Sequence, residues 1–300
     1  MSNAVPLRTE PAQTHEAFLH YGAPATHGPL VIAVPHAGRL YSADLLARAR
    51  VPGTVLARLE DRLADQLVHP LANQGYCVLV ARQPRALIDL NRDEREVDPG
   101  SICDAPWSFR GQTSAKLRGG LGLIPERLAQ IGHLWRRPLP YARLCACIED
   151  IHRPYHAMLA ALLDAARRRH GVALLLDIHS MPPLSQPPGA PPPPRIVIGD
   201  RFGRSASDRL TDLCADFIRR RHLPVATNSP YAGNHILDRH GRPARGVHAI
   251  QIEIDRTLYL DSTLMAPGDG LPAMQALLAD LAAALTQELG GAHDQTLAAE

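Results

Sequence analysis

The chain is 300 residues long and 45% hydrophobic, enough to bury a large core in one α/β domain or two smaller ones. Its formal net charge of +2 lacks the clustered basic excess that a nucleic-acid footprint needs. Lys116 is the only lysine, and because the arginine bias runs the whole length it says little about any one site.

In chain order, residues 1–26 read as an N-terminal extension. They have no basic start followed by an apolar block, so no secretory signal is expected. Beyond them, short apolar runs alternate with longer amphipathic ones, the pattern of an α/β domain. A strand is predicted at 30–34 and a helix at 55–73, followed by strands at 77–81 and 86–90. The next helix, 139–169, should be interrupted, because Pro154 cannot continue a helix interior without a kink. After a strand at 173–178 comes a loop at 182–194, where eight of thirteen residues are proline. Its first residues follow a histidine motif and are candidates for a wall of the site; its middle reads as a surface insertion. Further on, a strand is predicted at 195–199, a helix at 205–221 with Ser205 as N-cap, and a strand at 248–255. A helix at 271–289 and a frayed tail at 290–300 complete the chain. The expectation is one domain over 27–289. The five cysteines are odd in number and form no Cys-x-x-Cys pair, so neither a disulfide framework nor a cysteine zinc knuckle is expected. No uncharged apolar run approaches a membrane span. A soluble, reduced, cytoplasmic setting is the expectation.

Several segments carry groups suited to chemistry. Arg85, Asn91 and Arg92 frame the predicted 86–90 strand, and paired guanidinium donors suit a carboxylate ligand. Alone, such a turn is an ordinary surface feature in which Arg92 pairs with Asp93, Glu94 or Glu96. Two histidines alter that reading. His36 follows the first buried-looking strand and His179 ends another, and ligand sites of open α/β sheets lie at the carboxyl ends of strands. Imidazole is a favoured zinc ligand, and a catalytic zinc takes about three protein ligands. Asp61 is the candidate third ligand, with Glu60 beside it as the alternative; a surface pair of Asp61 with Arg58 or Arg62 is the plain structural account. Gln251, Glu253 and Asp255 share one face of a period-two segment. A glutamate inside a strand suits a general base, or else an ion pair with Arg256. Asn228 and Tyr231 lie in a turn-rich loop that could close on a polar ligand.

Taken together, Pro35-His36-Ala37-Gly38-Arg39, Glu60-Asp61, Arg85-x-x-x-Asp89-Leu90-Asn91-Arg92, Asp177-Ile178-His179-Ser180-Met181-Pro182, Asn228-x-Pro230-Tyr231-Ala232-Gly233 and Gln251-x-Glu253-Ile254 resemble the N-formylglutamate amidohydrolase family. The resemblance spans roughly His27 to Leu260. It implies kinship with zinc carboxypeptidases and the aspartoacylase group: a three-layer α/β/α, zinc-exopeptidase-like (phosphorylase/hydrolase-like) fold around a mixed central sheet. It further implies zinc on His36, Asp61 and His179, Glu253 as catalytic acid–base, and Arg85 polarising the scissile carbonyl. Asn91 and Arg92, with Tyr231 and Asn228, would hold the substrate. In the carboxypeptidase relatives a glutamate three residues after the first histidine is a ligand. Here that position is Arg39, which cannot bind zinc, so the acid must come from elsewhere.

The expected activity is therefore zinc-dependent hydrolysis of N-formyl-L-glutamate to formate and glutamate, a reaction of histidine degradation. The expected partner is a small acyl amino acid rather than a nucleic acid or a membrane. One rival is a deacylase or carboxypeptidase-like amidase for another N-acyl amino acid or peptide. A rival of another class is a metal-free small-anion binding protein, against which Glu253 argues, since binding needs no base.

Overall fold

The computed structural model describes residues 13–23, 25–189 and 191–297. At its centre is an eight-stranded mixed sheet. Its strands are β1 (Gln13–Thr14), β2 (Phe18–Tyr21), β3 (Leu30–Val34), β4 (Cys77–Ala81), β5 (Ala173–Met181), β6 (Ile196–Gly199), β7 (Val225–Thr227) and β8 (Val247–Asp255). They lie in the order β1-β2-β4-β3-β5-β8-β6-β7. The four middle strands, β4, β3, β5 and β8, run parallel, whereas β2 and β6 join antiparallel on either side. Parallel strands are buried on both faces, which explains why β3 and β4 are continuous apolar runs and why every residue of β3, β4 and β5 is buried, including the polar Asp177, His179 and Ser180 near the end of β5.

Alternate strand residues feed two cores. Ile32, Val34, Val78, Leu176 and Ile252 pack with helices α1 (Ala64–Asn73), α4 (Asp208–Arg219) and α6 (Leu271–Leu297) through residues such as Leu67, Ile218 and Leu281. Val31, Ala33, Leu79, Leu175 and Ala249 pack with α3 (Arg153–His170) through Tyr155, Leu159 and Leu163. Between these cores the parallel strands all point their carboxyl ends one way, towards His36, His179 and Asp255.

Several elements differ from the sequence expectation. Residues 86–90 form no strand: Leu87 and Ile88 donate their amides back to Pro84 O, making a turn, while Ala86, Ile88 and Leu90 are still buried. Burial without pairing mimics a strand in the hydrophobic pattern. The predicted helix at 55–73 is split. A short turn ends at Leu59, Leu63 adopts a left-handed φ of 58°, and α1 then begins. The Pro154 interruption is present as a π-helical turn, Ile148–His152, between α2 (Tyr141–Cys147) and α3. Ser207, not Ser205, occupies the N-cap position of α4, because the buried Ser205 hydroxyl donates to Ala249 O. Two expected boundaries also shift. Phe18–Tyr21 pairs with β4 as part of the sheet, within the supposed extension, and α6 continues through the supposed tail to Leu297. Residues 182–194, where described, are irregular as expected. No described helix is long and apolar enough to cross a membrane.

Candidate active site

His36 and His179 meet where β3 and β5 end, with ring centroids 4.8 Å apart. Asp61 stands between them: its Oδ2 is 2.8 Å from His179 Nδ1 and 3.3 Å from His36 Nδ1. The broken helix puts it there, because the unwound Asp61 amide donates to His36 O at 3.0 Å. Glycine helps the approach: a Cβ on Gly38 would collide with Gln83 O, so the turn after His36 packs directly on backbone. Glu60, the alternative acid, faces elsewhere, accepting from Tyr41 Oη at 2.6 Å and Arg62 Nη1 at 2.9 Å.

Each imidazole turns its other nitrogen to a buried carboxylate. His36 Nε2 is 2.7 Å from Asp89 Oδ1, and His179 Nε2 is 2.9 Å from Asp177 Oδ2. Each Nε2 donates to the carboxylate behind it, and both Nδ1 atoms face Asp61, where a bound cation would take the place of a proton. His36 Nδ1 is buried and lacks a hydrogen-bond partner. Two imidazole Nδ1 atoms converging on a carboxylate, with carboxylates behind the rings, make up the donor set that a divalent cation such as zinc takes. Electrostatics agree. Burial alone would raise Asp61, yet the adjacent His179 and His36 rings hold it well below the usual carboxylate range. Burial would lower His179, yet Asp177 and Asp61 hold it well above its ordinary value. The site concentrates negative potential where a cation would sit.

Glu253 lies beside this group on β8, in register with His179 across the β5–β8 pair. It accepts from Gln251 Nε2 at 3.0 Å rather than pairing with Arg256. Burial pushes its carboxyl up to about 7, with Asp61 adding and the two histidines and Arg85 opposing. Arg256 instead donates to Ser180 Oγ at 3.0 Å and to Glu60 O.

These groups form one end of a cavity of about 330 Å³, at the small end of the range for small-molecule sites. Arg58, Arg85, Arg92, Lys116 and Arg256 line it, against the acids Asp61 and Glu253. Arg85 Nε donates to Asp89 Oδ2 at 2.8 Å, leaving its terminal nitrogens without a partner among the described residues. Arg92 differs from the surface ion pair considered above: it is buried, and Nε and Nη1 donate to Leu121 O and Asn91 O, both at 2.9 Å. Asn91 is braced too, its Oδ1 accepting from the Ile236 amide at 2.9 Å and its Nδ2 lying 3.5 Å from His179 Nε2. Tyr231 lines the cavity, as does Pro182 at the start of the proline-rich loop. Asn228 does not. With φ at +60°, it turns its amide to Asp200, donating from Nδ2 at 2.7 Å and accepting at Oδ1 at 3.1 Å, so it shapes the loop from outside.

Sequence reasoning missed Lys116, Arg58, Asp177, Gln251 and the bond of Asp89 to His36. Lys116 had a usable signal, as the sole lysine in an arginine-rich chain. It makes no ion pair or hydrogen bond among the described residues, and burial with neighbouring Arg92 and Arg85 lowers its pKa. A cation crowded by cations in a cavity is poised for an anion. Asp177 stands in the His179 motif without a role of its own there, although it shares a strand face with His179 two residues on, a period-two signal for the contact.

Residues 28–260 match the family model described as N-formylglutamate amidohydrolase. An N-formylglutamate deformylase of Pseudomonas putida is 32% identical over 246 residues, covering 78% of this chain and 83% of that protein. Another, from Pseudomonas aeruginosa, is 28% identical over 275 residues, covering 87% and 91%. The crystal structure of an N-formylglutamate amidohydrolase from Ralstonia eutropha JMP134 superposes with a TM-score of 0.80 at 29% identity, covering 95% of this chain and all of the other.

Proposed function

This chain belongs to the N-formylglutamate amidohydrolase family of amide-bond hydrolases, and from that premise we propose that it hydrolyses N-formyl-L-glutamate to formate and L-glutamate with one zinc ion at the site. The observation that carries the reading is the convergence of His36 Nδ1, His179 Nδ1 and Asp61 Oδ2 beside Glu253 in a cation-lined cavity. His36, Asp61 and His179 would hold the ion. Bound there, it supplies Lewis acidity, polarising a carbonyl and making water acidic near neutrality.

The chain's own residues do the rest. Asp89 and Asp177 fix the two rings by accepting from their Nε2 atoms. The Glu253 carboxylate takes a proton from the attacking water and returns it to the departing amine nitrogen as the C–N bond breaks. The unpartnered terminal nitrogens of Arg85, held in plane by Asp89, stabilise the oxyanion. N-formylglutamate carries two carboxylates, and the cavity offers Lys116 and Arg58, which have no carboxylate partner among the described residues, together with the remaining Nη2 of Arg92, whose Nε lies 3.8 Å from Asp89 Oδ2. Tyr231 offers a hydroxyl nearby. Asn91 acts in this reading mainly by orienting the turn.

The same reading takes the sheet and its two helical faces as the three-layer, zinc-exopeptidase-like arrangement. It treats the chain as a single catalytic domain. Five free thiols suit a reducing, cytoplasmic setting. The test is a hydrolysis screen of N-formyl-, N-acetyl- and N-succinyl-L-glutamate and N-formyl-L-leucine, with and without chelator. Formate release from N-formyl-L-glutamate that the chelator stops supports the proposal. Preference for a larger acyl group would move the assignment to another deacylase, and binding without turnover would leave an anion-binding protein.

A further inference from the structure

A second histidine group packs against the backbone of the 90–92 turn, and none of its members lines the cavity. His152 closes the π-helical turn, His156 follows one turn later in α3, and His235 and His240 begin and end the helix α5 (His235–His240). One ring nitrogen from each of His152, His156 and His235 lies within 4.8 Å of the others.

Hydrogen bonding fixes the tautomers. Arg92 O and Leu90 O can only accept, so His152 and His156 donate to them from Nε2, each at 2.9 Å. Both Nδ1 atoms therefore carry lone pairs. His152 is fully buried, yet its Nδ1 has no partner, and neither has His235 Nε2. Three buried imidazole nitrogens lack a partner among the described residues: His36 Nδ1 at the candidate zinc site, and these two. The same signature thus marks both groups. Metal-binding histidines characteristically donate their second N–H to a carboxylate or backbone carbonyl. At the first site the acceptors are carboxylates, and here they are the carbonyls of the substrate-facing turn.

We propose that His152, His156 and His235 form a second site for a zinc-type divalent cation, structural in role, which ties α3 and α5 to the 90–92 turn. His240 Nε2, 2.9 Å from His156 Nδ1, makes the one hydrogen bond that the cation displaces. Imidazole-rich sets suit zinc, cobalt and nickel over magnesium or calcium.

The test is titration of metal-free full-length protein with Co²⁺, reading bound equivalents and visible d–d absorption, with zinc confirmed by elemental analysis. Wild type should take up two equivalents. An Asp61→Asn/His179→Ala variant, disabled at the first site, should retain one, and His152→Gln/His235→Gln should lose one. One equivalent in wild type and none in the first-site variant overturns the second site and leaves the first intact. One equivalent in wild type that survives in the first-site variant overturns the catalytic assignment instead, and no uptake at all overturns both. Should His152→Gln/His235→Gln fail to fold, the equivalent retained or lost by the first-site variant decides alone. A water-bridged network without a metal gives the one-then-none outcome.

Discussion

Glu253 carries the sharpest consequence at the scale of single residues. It is the one acid at the site that neither pairs with an arginine nor bonds a histidine. Glu253→Gln should bind zinc normally and lose roughly 10²–10⁴ in turnover, the usual worth of a positioned acid–base. Wild-type turnover in that variant would remove Glu253 from the reaction. In the proposed reaction Lys116 is the group that would select an acidic side chain. A charge-assisted hydrogen bond contributes about 1.5–3 kcal/mol, so Lys116→Met should lower kcat/KM for N-formyl-L-glutamate by roughly ten- to a hundredfold while sparing N-formyl-L-leucine. Equal losses on both substrates would contradict a carboxylate contact. Arg92→Lys should also hurt, because Leu121 O and Asn91 O are held by two arms of one guanidinium fork that an ammonium cannot reproduce. Unchanged kinetics would show the fork to be dispensable. At this scale the sequence was informative about residue types: His36, His179 and Asp61 do converge. It left Glu60 and Asp61 open because these adjacent acids lie just past the turn that ends at Leu59, where extended backbone turns one to Tyr41 and the other to the histidines. It misjudged Asn228 because a turn asparagine that bonds its own neighbourhood is written like one that binds a ligand.

Among the elements, the irregular 84–92 segment does most to build the site. It delivers Arg85, Asp89, Asn91 and Arg92 together, which a strand could not, since alternate residues of a strand face opposite ways. The segment is braced by its neighbour at 120–127: Leu123 O accepts from Asp89 N at 2.7 Å and Leu121 O accepts from Arg92. That brace contains Glu126, whose carboxyl burial pushes up to about 7 from an ordinary 4.5, with Asp98 adding and Ser101 and Arg48 opposing. The folded state then binds more protons than the unfolded chain between those values. Glu126 therefore contributes stability below pH 4.5 that is lost as pH rises through about 7. Glu126→Gln should flatten the fall of the melting midpoint over that interval, and an unaltered pH profile would contradict it. The sequence could not show this segment's shape. Hydrophobic spacing reports burial, and here Ala86, Ile88 and Leu90 are buried by a turn. The short strands Phe18–Tyr21 and Val225–Thr227 were equally hidden, being brief and lying beside longer segments of clearer pattern.

For the molecule as a whole, the parallel strands β3, β5 and β8 collect His36, His179 and Glu253 from positions far apart in the chain. Residues 28–260, the span matched by the family model, contain every residue of the site. The α/β alternation and the buried parallel strands were readable because continuous apolar runs bounded by helices leave few other arrangements. The cavity, its cationic lining and the second histidine group were not, since they depend on which loops meet. A cation that binds only the folded protein stabilises it in proportion to affinity and free concentration, so chelation should lower the melting midpoint and zinc should restore it. A midpoint indifferent to chelator would argue that the buried carboxylates and imidazoles hold one another without an ion.

The most direct measurement is formate release from N-formyl-L-glutamate by protein stripped of metal and then titrated with zinc. The geometry of His36, Asp61 and His179 predicts no release from the stripped protein and recovery as zinc is added, with Asp61→Asn failing to recover. Full-rate release by the stripped wild-type protein, or none after zinc is restored, would contradict it.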